Sequence, residues 1–167
     1  MTRSVVESAS PDLAFKRVLV IRLSAIGDVV FASPLIDAIK RARPDAEVYW
    51  LAESTVAPLL QHHAGLRELL IWPRNEWREL FRRGRLWTLS REVMSFRKKL
   101  RAHQFDLVLD VQGLLKSALL AWMTGAKTRI GFRSKEPTGW LLTERIPALA
   151  PTAVSYTHLT LPTNREV

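Results

Sequence analysis

Five short runs of apolar, β-rich residues punctuate the chain: 17–23 (RVLVIRL), 47–52 (EVYWLA), 68–72 (ELLIW), 106–111 (DLVLDV) and 128–132 (TRIGF). The stretches between them have helical character. Strands of the buried type that alternate with helices predict a parallel sheet covered on both faces, a doubly wound, Rossmann-like α/β fold. Residues 1–15 are polar and aperiodic and predict a loose leader, so the folded domain is expected to begin at residue 16.

Punctuation residues set the helix limits. After Asp28 two readings compete, because Pro34 interrupts a helix running from Val29 to Ile39. Either Asp28 caps a helix that kinks at Pro34, the favoured reading, or Ser33 is the cap and Pro34 lies in the first turn. Lys40, Arg41 and Arg43 followed by Pro44 mark the end of that segment. The run 114–123 (LLKSALLAWM) predicts a short apolar helix terminated by Gly125. The Pro- and Gly-containing stretch 134–151 reads as a long loop around one helical turn.

With 167 residues, 47% hydrophobic and 25% charged, the composition is that of one soluble globular domain. Cysteine is absent, which excludes disulfides, thiolate metal sites and sulfur redox chemistry, and fits a cytoplasmic setting. The N-terminus carries two acids and no unbroken apolar core, so it does not read as a secretory signal. No apolar run approaches the roughly 20 residues that span a bilayer. The net charge of +9 favours anionic partners. Most of it comes from residues 67–103, where eleven Lys and Arg face four Glu, with Trp72, Trp77, Phe81, Leu86, Trp87 and Phe96 interleaved. Such a surface suits anionic headgroups or phosphorylated sugar, and the plainer reading is a solvated helix face. Within it Arg78 and Arg82 stand four apart and would form an anion-binding pair on a helix.

The loop 24–28 (SAIGD) follows the first strand, at the sheet edge where ligands collect in parallel α/β folds. Ser24 and Gly27 are small enough to let a ligand approach the backbone, and Gly27 suits a turn that a side chain would obstruct. Asp28 has two candidate roles, a general base or a helix cap, and by spacing alone the cap is the commoner one. The loop has neither G-x-G-x-x-G nor the P-loop pattern, so nucleotide binding is unsupported here. A second polar group, 110–117 (DVQGLLKS), follows the fourth strand, so that Asp110, Gln112 and Lys116 would share the sheet edge with Asp28. Gly113 suits the tight strand-to-helix turn there, and the plainer reading makes Gln112 and Ser117 caps of that turn. His62, His63 and His103 lack a metal-binding spacing, and no metal is expected. No G-x-S-x-G elbow is present.

Taken together, the S-x-x-GD loop within 17–53, the segment FDLVLDVQGLLKSALLA and TRIGF resemble the N-terminal half of bacterial lipopolysaccharide heptosyltransferases, glycosyltransferase family 9. The resemblance covers about residues 16–151. It implies the two-domain GT-B architecture and inverting transfer of heptose from ADP-heptose to the Kdo/heptose inner core of lipopolysaccharide. No cofactor or metal is implied, and the donor would be held mainly by a second domain. By that resemblance Asp28 matches the catalytic base; near a helix start and basic neighbours it is expected to stay ionised at neutral pH, although a modestly raised pKa would make it a better base. Ser24, Gly27, Arg78, Arg82, Gln112 and Lys116 become acceptor-binding candidates. The basic cluster would meet Kdo carboxylates and lipid A phosphates and hold a cytoplasmic enzyme at the inner membrane. No specific nucleic-acid partner is expected. The alternative is a non-catalytic basic module for nucleic acid or anionic membrane.

Residues 154–167 (VSYTHLTLPTNREV) match nothing in the preceding pattern and resemble a translated sequencing adapter. The domain is therefore expected to run from 16 to 153, with Tyr156 and His158 functionless. A second domain is expected in the reading frame beyond Ala153, and the chain is expected to be inactive alone.

Overall fold

The structure is a computed structural model that describes residues 15–132 and 138–146. The leader up to residue 14 and the tail from 154 lie outside the described residues. In order come β1 (Arg17–Ile21), α1 (Ile26–Ala32), α2 (Pro34–Ala42), β2 (Glu47–Glu53), a 3-10 segment (Ser54–Leu59) and β3 (Leu66–Trp72). Then follow α3 (Arg74–Arg82), α4 (Leu86–Ala102), β4 (Leu107–Asp110), α5 (Leu115–Thr124), β5 (Thr128–Phe132) and β6 (Glu144–Ile146).

The six strands are all parallel in the order β3-β2-β1-β4-β5-β6. Growth from β1 runs first to one side, through β2 and β3, then returns to the other through β4. The reversal opens a crevice between the carboxyl ends of β1 and β4, the place where doubly wound sheets take ligands. The Rossmann-like architecture expected from the strand pattern is the one observed.

Alternation along the strands builds the two layers. In β1, Leu19 and Ile21 join Leu51, Leu70, Leu100, Val108 and Ala118 in a core beneath α4 and α5. Val18 and Val20 face the opposite core with Val29, Ile36, Ile39, Val48 and Trp50 beneath α1 and α2. A strand buried on both faces has no use for polar alternation, which is why β1 reads as a continuous apolar run. Trp50 is fully buried and donates its indole N–H to the carbonyl of Arg22 at 3.1 Å, tying β2 to the end of β1. Phe15, the last leader residue, packs against the second core.

The sequence pattern misplaced two local features. The chain stays right-handed helical through Ser33 (φ −58°, ψ −33°), with Pro34 opening α2. Asp28 is not the cap of α1; Ala25 is, and Asp28 occupies the third helical position. Ser33 is the N-cap residue of α2 with Pro34 in its first turn, as the second reading had it, although its hydroxyl donates to the carbonyl of Val30 at 2.9 Å and caps no backbone amide. The second miss is β6, which lies within the stretch read as a loop. Only three residues long and exposed throughout, it pairs with β5 at the sheet edge and has no apolar run to announce it. The predicted stops hold: Lys40 closes α2 by donating to the carbonyl of Ala46 at 2.7 Å, and Gly125 ends α5 at φ +74°.

Candidate functional site

The site is assembled from the two loops flanking the crevice. On the β4 side, Asp110 is buried at 1% exposure. Its Oδ1 accepts the backbone N–H groups of Gln112 (3.0 Å) and Gly113 (3.2 Å). Its Oδ2 meets the hydroxyl of Ser117 at 3.0 Å. That hydroxyl also lies 2.8 Å from the carbonyl of Leu114 and accepts the Leu114 N–H at 3.1 Å. These bonds fix the turn into α5, and Gly113 supplies the required φ of +70°. Burial pushes the Asp110 carboxyl up, while its hydrogen bonds and the nearby Arg22 oppose the rise.

The turn then grips the β1 loop. Gln112 Oε1 accepts the backbone N–H of Leu23 at 3.0 Å and of Ser24 at 3.4 Å. Arg22, only 16% exposed in its side chain, completes the tie by donating Nη1 to the carbonyl of Val111 at 2.6 Å. Its Nη2 forms an ion pair with Oδ2 of Asp28. The same Oδ2 accepts the Ala25 N–H at 3.4 Å, so the acid at the third position reaches back to the free amide at the helix start. Asp28 Oδ1 has no hydrogen-bond partner among the described residues, and the side chain is 52% exposed.

Asp28 therefore presents one committed and one open oxygen to solvent. The Arg22 hydrogen bond, then the Ala25 amide and the Arg22 charge, hold its carboxyl below the ordinary aspartate range. The guanidinium sits directly on the carboxylate and favours its ionised form, the form expected at neutral pH beside a helix start and basic neighbours. Asp28 and Arg22 line a cleft of about 530 Å³ walled by Phe31, Leu35, Arg41, Val111 and Phe132. Phe31 is 88% exposed at its rim.

The structure brings Ser24, Gly27, Asp28 and Gln112 together and sets the other candidates apart. Gly27 lies in the first turn of α1, where an added Cβ would meet nothing within 4 Å, so the expected steric need for glycine is absent. Ser24 and Gln112 meet through the backbone, and Gln112 spends its carbonyl oxygen holding the β1 loop. Lys116, in the first turn of α5, places Nζ 5.9 Å from the ring centre of Trp72. Trp72 stacks edge-on with Trp77, and Trp77 with Phe96, at centroid distances of 6.2 and 5.5 Å. Lys116, Arg78 and Arg82 thus belong to the α3–α5 side of the sheet, across from the Asp28 cleft but at the same carboxyl edge. The helical prediction for Arg78 and Arg82 holds, yet Arg82 shares Glu79 with Arg83, at 3.3 and 2.7 Å. Arg78 has no ion-pair partner among the described residues. No group of three His, Asp or Glu side chains converges as a metal site among them either.

Sequence reasoning missed Arg22. The signal was present: a cation closing an otherwise buried strand needs a partner, and the acid six residues on is the nearest in sequence.

A parallel six-stranded sheet with a crevice at its switch point defines a Rossmann-like α/β domain. Residues 93–158 match the sequence profile described as glycosyltransferase family 9 (heptosyltransferase). Lipopolysaccharide heptosyltransferase 1 of Escherichia coli K12 is 29% identical over 124 residues, which are 74% of this chain and 36% of that protein. The protein of the same name from Pseudomonas aeruginosa PAO1 is 33% identical over 110 residues, 65% of this chain and 29% of its own length. The solved structure of E. coli heptosyltransferase WaaC with ADP-2-deoxy-2-fluoro heptose superposes with a TM-score of 0.69 at 25% identity, covering 82% of this chain and 44% of that one. The chain spans about a third of the length of the curated relatives it matches. In sequence and in fold it is a relative of the family 9 glycosyltransferases.

Proposed function

We propose that the chain is the acceptor-binding part of an inverting glycosyltransferase that moves heptose from ADP-heptose to the Kdo/heptose inner core of lipopolysaccharide. The observation that carries this reading is Asp28: an exposed carboxylate at the switch point, with one oxygen free at a cleft. A hydroxyl of the acceptor attacks the anomeric carbon of the donor from the face opposite ADP. As the new C–O bond forms, the C–O bond to ADP breaks and the hydroxyl proton becomes acidic. Asp28 Oδ1 accepts that proton. A carboxylate fully ionised at neutral pH suffices, because the proton is acidic by the time it moves. Most donor contacts are assigned to a second domain following residue 153, so the chain alone should not turn over.

The test has two arms. A heptose-transfer assay on the 167-residue chain with ADP-heptose and a Kdo-lipid A acceptor should show no appreciable turnover. In a protein extended to the length of its relatives, Asp28→Ala should lower transfer roughly 10²- to 10⁴-fold with the fold intact. A near-normal rate would make Asp28 a helix-start residue and end this reading.

The finer reading of the partner is a cytoplasmic protein seated on the anionic inner membrane through the α3–α4 hairpin. Trp87 is 79% exposed, with Phe81 and Leu86 beside it and Arg82, Arg83 and Arg85 around the turn. Leu100 is the buried residue of α4, and Phe96 packs on Trp77. Val93 packs on the same core, and the seven residues of α4 before it, about 10 Å of helix, carry the exposed Leu86 and Trp87. Arginines around exposed aromatics are the composition of an interfacial segment. No helix among the described residues is long and apolar enough to cross a membrane. Sedimentation with vesicles containing phosphatidylglycerol should carry the chain down, and Phe81→Ser with Trp87→Ser should release it. Equal binding by that variant, or steeply salt-dependent binding to generic duplex DNA instead, would favour a nonspecific basic module.

A further inference from the structure

We infer that Arg22 is the positioning residue of this site, setting which oxygen of Asp28 meets the incoming hydroxyl. The inference rests on the heptosyl-transfer reading and goes beyond it. Arg22 lies just past the end of β1, and its guanidinium spans the switch point. One terminal nitrogen is anchored on the carbonyl of Val111, just past the end of β4, and the other holds Asp28 Oδ2. Its Nε is buried without a hydrogen-bond partner among the described residues, and its polar contacts are the two made by the terminal nitrogens in this bridge. The anchor is itself rigid. Val111 lies between Asp110, which fixes the following turn, and Gln112, which holds the amides of Leu23 and Ser24.

The consequence is geometric. A half-exposed aspartate on a helix start would otherwise rotate among its staggered conformers. With Oδ2 held by Arg22 and touched by the Ala25 N–H, rotation is stopped and Oδ1 is left as the open oxygen. A planar guanidinium is suited to this, since its two terminal nitrogens point to two acceptors in a fixed fork. A lysine would supply the charge without the bridge. Arg22 touches neither acceptor nor donor in this scheme; it acts through Asp28.

The two functions of the guanidinium, charge and orientation, separate in the test. In the protein extended to the length of its relatives, Arg22→Lys should lower kcat roughly 10- to 100-fold with KM changed less than about threefold. Its acid limb in the pH profile of kcat should stay near that of the unsubstituted protein. Arg22→Met should lower kcat as much and also move the acid limb to higher pH, because the base loses the cation that keeps it ionised. In the 167-residue chain, the Asp28 carboxyl followed by carbon-13 NMR should titrate at higher pH in Arg22→Met than in Arg22→Lys. Should Arg22→Met fail to fold, Arg22→Lys still decides. Rates within about twofold of normal for Arg22→Lys, while Asp28→Ala is inactive, would overturn the positioning role. Activity retained by Asp28→Ala would instead overturn the function proposed above, leaving the Arg22 titration effect as a property of the fold.

Discussion

Asp110, the last residue of β4, and Asp28, in the helix after the neighbouring β1, stand on the two sides of one crevice, and their surroundings drive them in opposite directions. Asp110 is buried, its pKa is raised, and every contact it makes serves the turn into α5. Asp28 is exposed, its pKa is lowered by Arg22, and one of its oxygens is left over. The same side chain is thus a scaffold part where donors surround it and a candidate reagent where they do not. Position at the sheet edge does not separate the two roles. Burial and the number of committed oxygens do.

The largest contrast is expected when each acid is truncated. Asp28→Ala should cost the extended protein its transfer activity and lower the urea midpoint of the domain only slightly, through loss of the half-exposed Arg22 pair and the Ala25 amide acceptor. Asp110→Ala should do the reverse at the level of stability. It strands the amides of Gln112 and Gly113 and leaves the Ser117 hydroxyl only its Leu114 partners, a loss of about 2–3 kcal/mol in equilibrium unfolding. An Asp110→Ala variant as stable as its parent would break the comparison on the scaffold side.

Asp110→Asn sharpens it. The amide oxygen still accepts the two backbone N–H groups and the amide nitrogen donates to Ser117, so stability should stay within about 1 kcal/mol. The pH dependence carries the sign. A buried acid with a raised folded pKa contributes stability below its unfolded pKa, and that contribution is lost as pH rises through the folded value. Asp110→Asn should therefore gain on the unsubstituted chain as pH climbs through and above the carboxylate range. For Asp28 the sign is opposite, since a lowered folded pKa gives stability above the unfolded value that is lost on acidification. A pH-independent difference for Asp110→Asn would mean that burial does not raise the Asp110 carboxyl in the folded chain.

The smallest effect is expected at the link between the two corners. Gln112→Ala removes the acceptor of two amides, those of the buried Leu23 and the half-buried Ser24, and should cost about 1 kcal/mol. Proton exchange at those two amides should accelerate while the β2 amides stay protected. No change in either amide would show that Gln112 does not couple the loops.

The sequence by itself determined the sheet except for the exposed β6, because its inner strands, buried on both faces, leave a continuous apolar signature that needs no partner to be read. It also determined the helix stops, since Gly125 and the Lys40-to-Pro44 cluster act through the local backbone. It placed Asp28 and Gln112 at the right edge, as parallel strands put every strand-to-helix loop on one side. Its motifs carried the family resemblance too. Only the tertiary structure decided which acid is open and which is closed, that Arg22 grips one of them, and that Lys116 and Arg78 lie across the sheet from the cleft. Those outcomes depend on hydrogen bonds between residues 89 apart, such as Arg22 to Val111 and Leu23 to Gln112. Such contacts come into being when β1 and β4 pair, and local periodicity carries no trace of them.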